Sequence, residues 1–152
     1  MDEGNFKDAL IHAQKSVSFF PNEGNSINLA SIYGSLGDYK KAQDIYREAF
    51  HEGMYIHTTH KHYEQLYSSY ATFLVFNNEP QMAVKIVDQG LKDYPSSTTL
   101  WLPLTLAKYR LNEHAGALAA ATKAYELNPN DPNTIQVYMR LSNNLPLTFI
   151  NN

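Results

Sequence analysis

Gly37-Asp38-Tyr39-Lys40-Lys41-Ala42-Gln43 is the phrase on which the reading of this chain turns. It returns as Gly4-Asn5-Phe6-Lys7-Asp8-Ala9-Leu10 and as Asn112-Glu113-His114-Ala115-Gly116-Ala117-Leu118, with a weaker copy at Asn78-Glu79-Pro80-Gln81-Met82-Ala83-Val84. Each residue type has a physical task. The opening Gly or Asn tolerates the left-handed backbone that closes one helix. An aromatic two positions later can fill the corner between helices. The Ala five positions after the opening residue lets two helices approach closely, and a Pro such as Pro21, Pro95 or Pro129 ends the unit.

The copies start at positions 4, 37, 78 and 112, so their spacings are 33, 41 and 34 residues. Two of these fit a helix–turn–helix repeat of about 34 residues, and the middle one carries about seven extra. The array is expected over 1–142. It opens with an orphan second helix (5–20) and continues with repeats at 24–54, 59–95 and 98–129. A capping helix at 132–142 and an extended tail at 143–152 follow. Asp131-Pro132 is a start signal for the last helix, with Asp as N-cap and Pro at the first helical position.

At this point the chain resembles the tetratricopeptide repeat family. The first helix of that repeat carries a large-x2-Leu-small-x2-Tyr pattern. Here it is matched by Leu29-Ala30-Ser31-Ile32-Tyr33, by Tyr67, Tyr70, Ala71 and Leu74, and by Trp101 and Leu104. The second helix matches at Ala42, Tyr46 and Ala49, and at Ala117, Ala121, Ala124 and Pro129. The resemblance implies an all-α, right-handed superhelical solenoid of antiparallel helix pairs whose first helices line a concave groove. Three positions depart from the pattern. Pro103 lies inside a first helix, Pro80 replaces an aromatic, and Lys108 stands where the family carries Tyr.

Composition narrows the function. The chain has no Cys, which excludes disulfides, a thiol nucleophile and Cys-ligated zinc. Twelve Lys and Arg against 15 Asp and Glu leave a net charge of −3, so a basic nucleic-acid footprint is missing and no nucleic-acid partner is expected. Asp2 and Glu3 stand where a signal peptide would carry Lys or Arg. Tyr94 to Ala107, one of three equally long uncharged internal stretches, is broken by prolines, and all three are too short for a membrane span. Enzyme motifs appear only as near misses. His51-Glu52-Gly53-Met54-Tyr55 starts like a zincin helix but ends in Tyr. No enzymatic activity and no cofactor are expected. His57, His60 and His62 cluster in the insertion and could share a zinc or nickel ion, although no carboxylate or Cys joins them. A solvated connection is the simpler reading.

Function is then expected in the groove. The resemblance places Asn28 and Ser31 on its face in the first pair and Gln65, Ser69, Thr72 and Phe76 in the second. Leu102, Leu106, Tyr109 and Arg110 follow in the third, with Gln136 and Arg140 on the last helix. The carboxylate clamp of co-chaperone members is missing, because Ile27 and Ser31 occupy its places. A lining of hydroxyls and amides with a few apolar anchors suits a neutral or mildly acidic extended peptide, read partly through its backbone. A glycan would suit the same lining. The other reading is a structural or oligomerising segment of a larger, enzymatic or membrane protein. Its apolar orphan helix (Phe6, Ala9, Leu10, Ala13, Val17) and its uncharged tail (Leu145–Ile150) would then mediate self-association.

Overall fold

The computed structural model describes residues 3–51 and 63–148, and every described element is a helix or a turn. The eight helices among the described residues are α1 (Glu3–Phe19), α2 (Glu23–Ser35), α3 (Tyr39–His51), α4 (Glu64–Phe76), α5 (Pro80–Asp93), α6 (Trp101–Arg110), α7 (His114–Leu127) and α8 (Pro132–Ser142). Consecutive helices pack on one another: α1 on α2, α2 on α3, α5 on α6, α6 on α7 and α7 on α8. The chain divides into two compact units, Met1–Leu66 and Tyr67–Asn152, with the division inside α4. His57, His60 and His62 lie outside the described residues, as do Phe149–Asn152.

The first unit is built on small residues. Ala30, Ala42 and Ala49 are fully buried, and Leu29 and Tyr46 are nearly so. Small side chains at these crossings let the helix axes approach while the interior stays close-packed. Pro21 follows the end of α1. Asn22 then caps α2, its side chain accepting from the Asn25 backbone N–H at 2.7 Å. The repeat reading puts the start of this first helix at Ser26, and the cap starts α2 three residues earlier, at Glu23. Asn25 in turn donates from its amide to the Phe20 carbonyl at 2.7 Å, which fastens the corner. Tyr33 accepts from the Gln14 amide at 2.8 Å, tying α2 to α1.

The second unit repeats the scheme. In α7, Ala117, Ala120, Ala121 and Ala124 are all buried, at the i, i+3, i+4 and i+7 spacing of one helical face. Between α4, α5 and the Leu100 turn the approach is closer still. A Cβ built on Gly90 would stand 2.8 Å from Tyr67 Cγ and 2.9 Å from Leu100 Cδ1. The helix α6 begins at Trp101, three residues later than the Thr98 expected from the repeat. Ser97 is the reason: its buried hydroxyl accepts the N–H groups of Thr99 and Leu100 and holds a turn there. Pro103 therefore falls in the first turn of α6, where its missing N–H removes no helical hydrogen bond.

The residues that open the repeated phrase close the preceding helices as their chemistry requires. Gly37, Asn78 and Asn112 have φ of +78°, +62° and +60°. After each, the next N–H reaches back five residues: Asp38 to Tyr33, Glu79 to Leu74 and Glu113 to Lys108, at 2.8–2.9 Å. This is the pattern of a Schellman motif. A fourth instance follows α8, where Asn144 has φ +54° and the Leu145 N–H donates to the Arg140 carbonyl at 2.7 Å.

Candidate functional site: a cleft between first helices and a docked tail

In the second unit, two helices that open repeats, α6 and α8, face each other across a cleft of about 270 Å³. Leu102 and Leu106 from α6 and Val137 from α8 give it apolar surface, and Asn133 and Gln136 add two carboxamides. Leu102 and Leu106 are one helical turn apart, as are Asn133 and Gln136, so each pair shares a face of its helix. The lining carries no charge. Val137 was not among the residues expected from the repeat register. It projects inward from α8 and is almost completely buried, which is a core signature in sequence.

Tyr109 and Arg140 occupy the same helical faces one turn further on, but the Tyr109 hydroxyl and Arg140 Nε are engaged with the chain's own tail. Arg140 Nε donates to the Pro146 carbonyl at 2.7 Å. The Leu147 backbone N–H donates to the Tyr109 hydroxyl at 3.2 Å. Leu147 itself is fully buried. The Tyr109 ring also meets His114 edge-on, with centroids 5.6 Å apart. Beside the tail lies a second cleft, of about 470 Å³. Tyr109, His114, Ala115, Leu118 and Leu141 line it, with Asn144, Leu145 and Pro146 as its further wall.

The remaining expected positions fare differently. Arg110 is half-buried, and its Nε is buried with no hydrogen-bond partner among the described residues. Phe76 is exposed on α4, and Thr72 donates its hydroxyl to the Ser68 carbonyl at 2.8 Å. In the first unit Asn28 and Ser31 are exposed on α2, and Ser31 spends its hydroxyl proton on the Ile27 carbonyl at 2.8 Å. Such bonds to the carbonyl four residues back leave Ser31 and Thr72 only acceptor capacity for a ligand. The Ser31 hydroxyl also lies 3.5 Å from that of Tyr46, whose phenol is pushed up by burial and partly brought back by this contact. Gln65 is exposed and Ser69 half-buried on α4, and both already have interactions within the chain. No group of His, Asp and Glu able to hold a metal ion is found among the described residues.

Comparison with known proteins agrees with this architecture. The family model of the tetratricopeptide repeat matches residues 26–50, which is α2 from Ser26 onward with most of α3. Two solved structures share the fold, the MamA RS-1 ArsTM double mutant and MamA from residue 41 to its end from Desulfovibrio magneticus RS-1. Each is 14% identical, superposes with a TM-score of 0.71, and covers 93% of this chain and 76% of its own. No curated protein sequence matches. One helix pair is thus similar in sequence to a tetratricopeptide repeat, and the chain shares the all-α fold of these structures.

Proposed function

We propose that this chain is a non-catalytic protein-interaction module that binds an extended, uncharged peptide segment between α6 and α8. The carrying observation is the composition of the cleft: Leu102, Leu106 and Val137 beneath, Asn133 and Gln136 exposed at its edge, and no charge. A carboxamide both donates and accepts, so Asn133 and Gln136 can pair with the carbonyl and N–H groups of an extended backbone. The apolar surface rewards alternate side chains that face inward. A charged side chain would have to shed water there without a counter-charge, which disfavours acidic and basic residues at those positions.

The test is selection from a random peptide display on the folded chain, followed by Gln136→Ala and Leu102→Gln. Peptides with alternating apolar residues and little charge should be enriched. Each substitution should weaken them by roughly fivefold or more, the equivalent of about 1 kcal/mol, with helical circular dichroism unchanged. Enriched peptides whose affinity ignores both substitutions would place binding elsewhere and defeat the proposal.

A further inference from the structure

We infer that the segment Leu145-Pro146-Leu147 is a built-in ligand. It occupies a receptor site formed by Tyr109 and Arg140, and that site takes, in trans, an uncharged extended peptide with leucine after proline. The inference rests on the peptide-binding reading above and assigns the neighbouring part of the same helical faces.

The argument starts from the turn. At Gly37, Asn78 and Asn112 the left-handed residue is followed by a helix, and the residue three positions on (Lys40, Gln81, Ala115) is exposed. Asn144 makes the same turn with the same backward hydrogen bond. Here the residue three positions on, Leu147, has no accessible surface at all. The chain has left the repeat pattern and inserted a side chain instead.

Backbone accounting supports a docked peptide rather than a loose end. The Leu145 N–H goes to the Arg140 carbonyl, Pro146 has no N–H to satisfy, and the Leu147 N–H goes to Tyr109. The Pro146 carbonyl takes the Arg140 Nε proton. Both receptor contacts are to backbone atoms, so they do not depend on the identity of the tail's side chains. What selects the sequence is the buried Leu147 and the absence of a donor at Pro146. The same groups can therefore serve a second chain of similar sequence. The tether makes the tail's effective concentration high, on the order of millimolar or above, so the full chain presents this site mostly filled. If the tail is docked nine-tenths of the time, a competing peptide binds about tenfold more weakly than to the open site.

The experiment uses the full chain and a labelled synthetic peptide of residues 143–152, read by fluorescence anisotropy. Leu147→Asp expels the tail by placing a carboxylate where the leucine is buried. It should bind the peptide at least about tenfold more tightly than the unmodified chain. Adding Tyr109→Phe and Arg140→Ala to that variant should remove the gain. Equal binding by Leu147→Asp and the unmodified chain, or a gain that survives both receptor substitutions, overturns the inference. If Leu147→Asp loses its helical signal, the unmodified chain decides the matter by amide exchange. The Leu147 amide should exchange faster under saturating peptide, and an unchanged rate refutes displacement. A concentration-dependent dimer that Leu147→Asp abolishes would mean tails exchanged between copies and would overturn occupancy in cis. Display peptides that respond to Gln136→Ala while the tail peptide fails on Leu147→Asp defeat this inference alone. Failure of both sets of peptides defeats the proposed function as well.

Discussion

The same substitution should have opposite effects at two helical glycines of the second unit. At Gly90, a new Cβ would stand 2.8 Å from Tyr67 Cγ and 2.9 Å from Leu100 Cδ1. Carbon atoms settle at about 3.5–4.0 Å, so the overlap is on the order of 0.7 Å on two sides at once. Neither neighbour can step aside. Tyr67 and Leu100 are buried, and the Tyr67 hydroxyl is anchored on the Asp93 carboxylate. Overpacking of this kind costs about 1–3 kcal/mol, against a helix-propensity gain of about 0.8 kcal/mol. Gly90→Ala is thus expected to destabilise by about 1 kcal/mol, and by at most about 2 kcal/mol. For a chain of this size that lowers the melting temperature by about 3–6 °C. At Gly116 the nearest atom to a new Cβ is Lys108 Cδ at 3.1 Å, part of a long side chain that can rotate away. There Gly116→Ala should stabilise by about 0.5 kcal/mol. The single Trp of the chain, Trp101, lies in the same unit and reports both transitions in urea by its fluorescence. If the Gly90→Ala midpoint equals or exceeds that of Gly116→Ala, α5 does not lie as close to Tyr67 and Leu100 as described.

Two further outcomes follow from the helix ends. Asn112→Ala forces a Cβ-bearing residue without a compensating amide into φ +60°, and should cost about 1 kcal/mol, whereas Asn112→Gly should be neutral or stabilising; thermal melts of the three chains check the order. Asp131 caps α8 by accepting the Thr134 N–H at 2.7 Å, and hydrogen bonding from the Thr134 side chain first, and from this backbone N–H second, holds its carboxyl below the ordinary carboxylate value. The folded chain therefore favours the ionised form. Its contribution is present at neutral pH and is lost as pH falls below the ordinary value through the folded one. Asp131→Ala should cost about 1 kcal/mol at pH 7, and Asp131→Asn should keep most of the cap but flatten the acid side of the stability profile. An unchanged acid profile in Asp131→Asn would remove this residue from the linkage.

Periodicity and turn chemistry were legible because they act locally. Pro80 and His114 open their helices, and Asn78 and Asn112 take positive φ, for reasons contained in a few adjacent residues. The tetratricopeptide resemblance added the pairing of helices through Ala30, Ala42, Ala49 and Ala117, all fully buried. The helix starts that differed did so through side-chain caps. Asn22 and Ser97 are turn-forming residues whose hydrogen bonds depend on backbone geometry that the repeat register does not contain. Asn144 went unread as a fourth turn because the position five residues later holds Phe149 where the other copies hold Ala.

The candidate site shows where register alone stops being informative. Position in a helix fixes the direction of Cα–Cβ, and this was enough to bring Leu102, Leu106 and Gln136 to one cleft. It does not fix where a long side chain ends. Tyr109 and Arg140 sit on the expected helical faces, yet the phenol and guanidinium reach several ångströms beyond them to the backbone of Leu147 and Pro146. Their partner was visible only as an uncharged stretch after the last helix. Apolar character said that the segment had something to bury, but not what would accept its backbone hydrogen bonds. The two kinds of residue consequently make different demands on a ligand. Leu102 and Gln136 offer surface that is open, whereas Tyr109 and Arg140 offer hydrogen bonds already made, so a ligand gains there only what remains after the tail is displaced. Specificity at the open cleft is set by complementarity to the apolar floor. Specificity at the filled end is set by a difference between the ligand and the chain's own Leu-Pro-Leu.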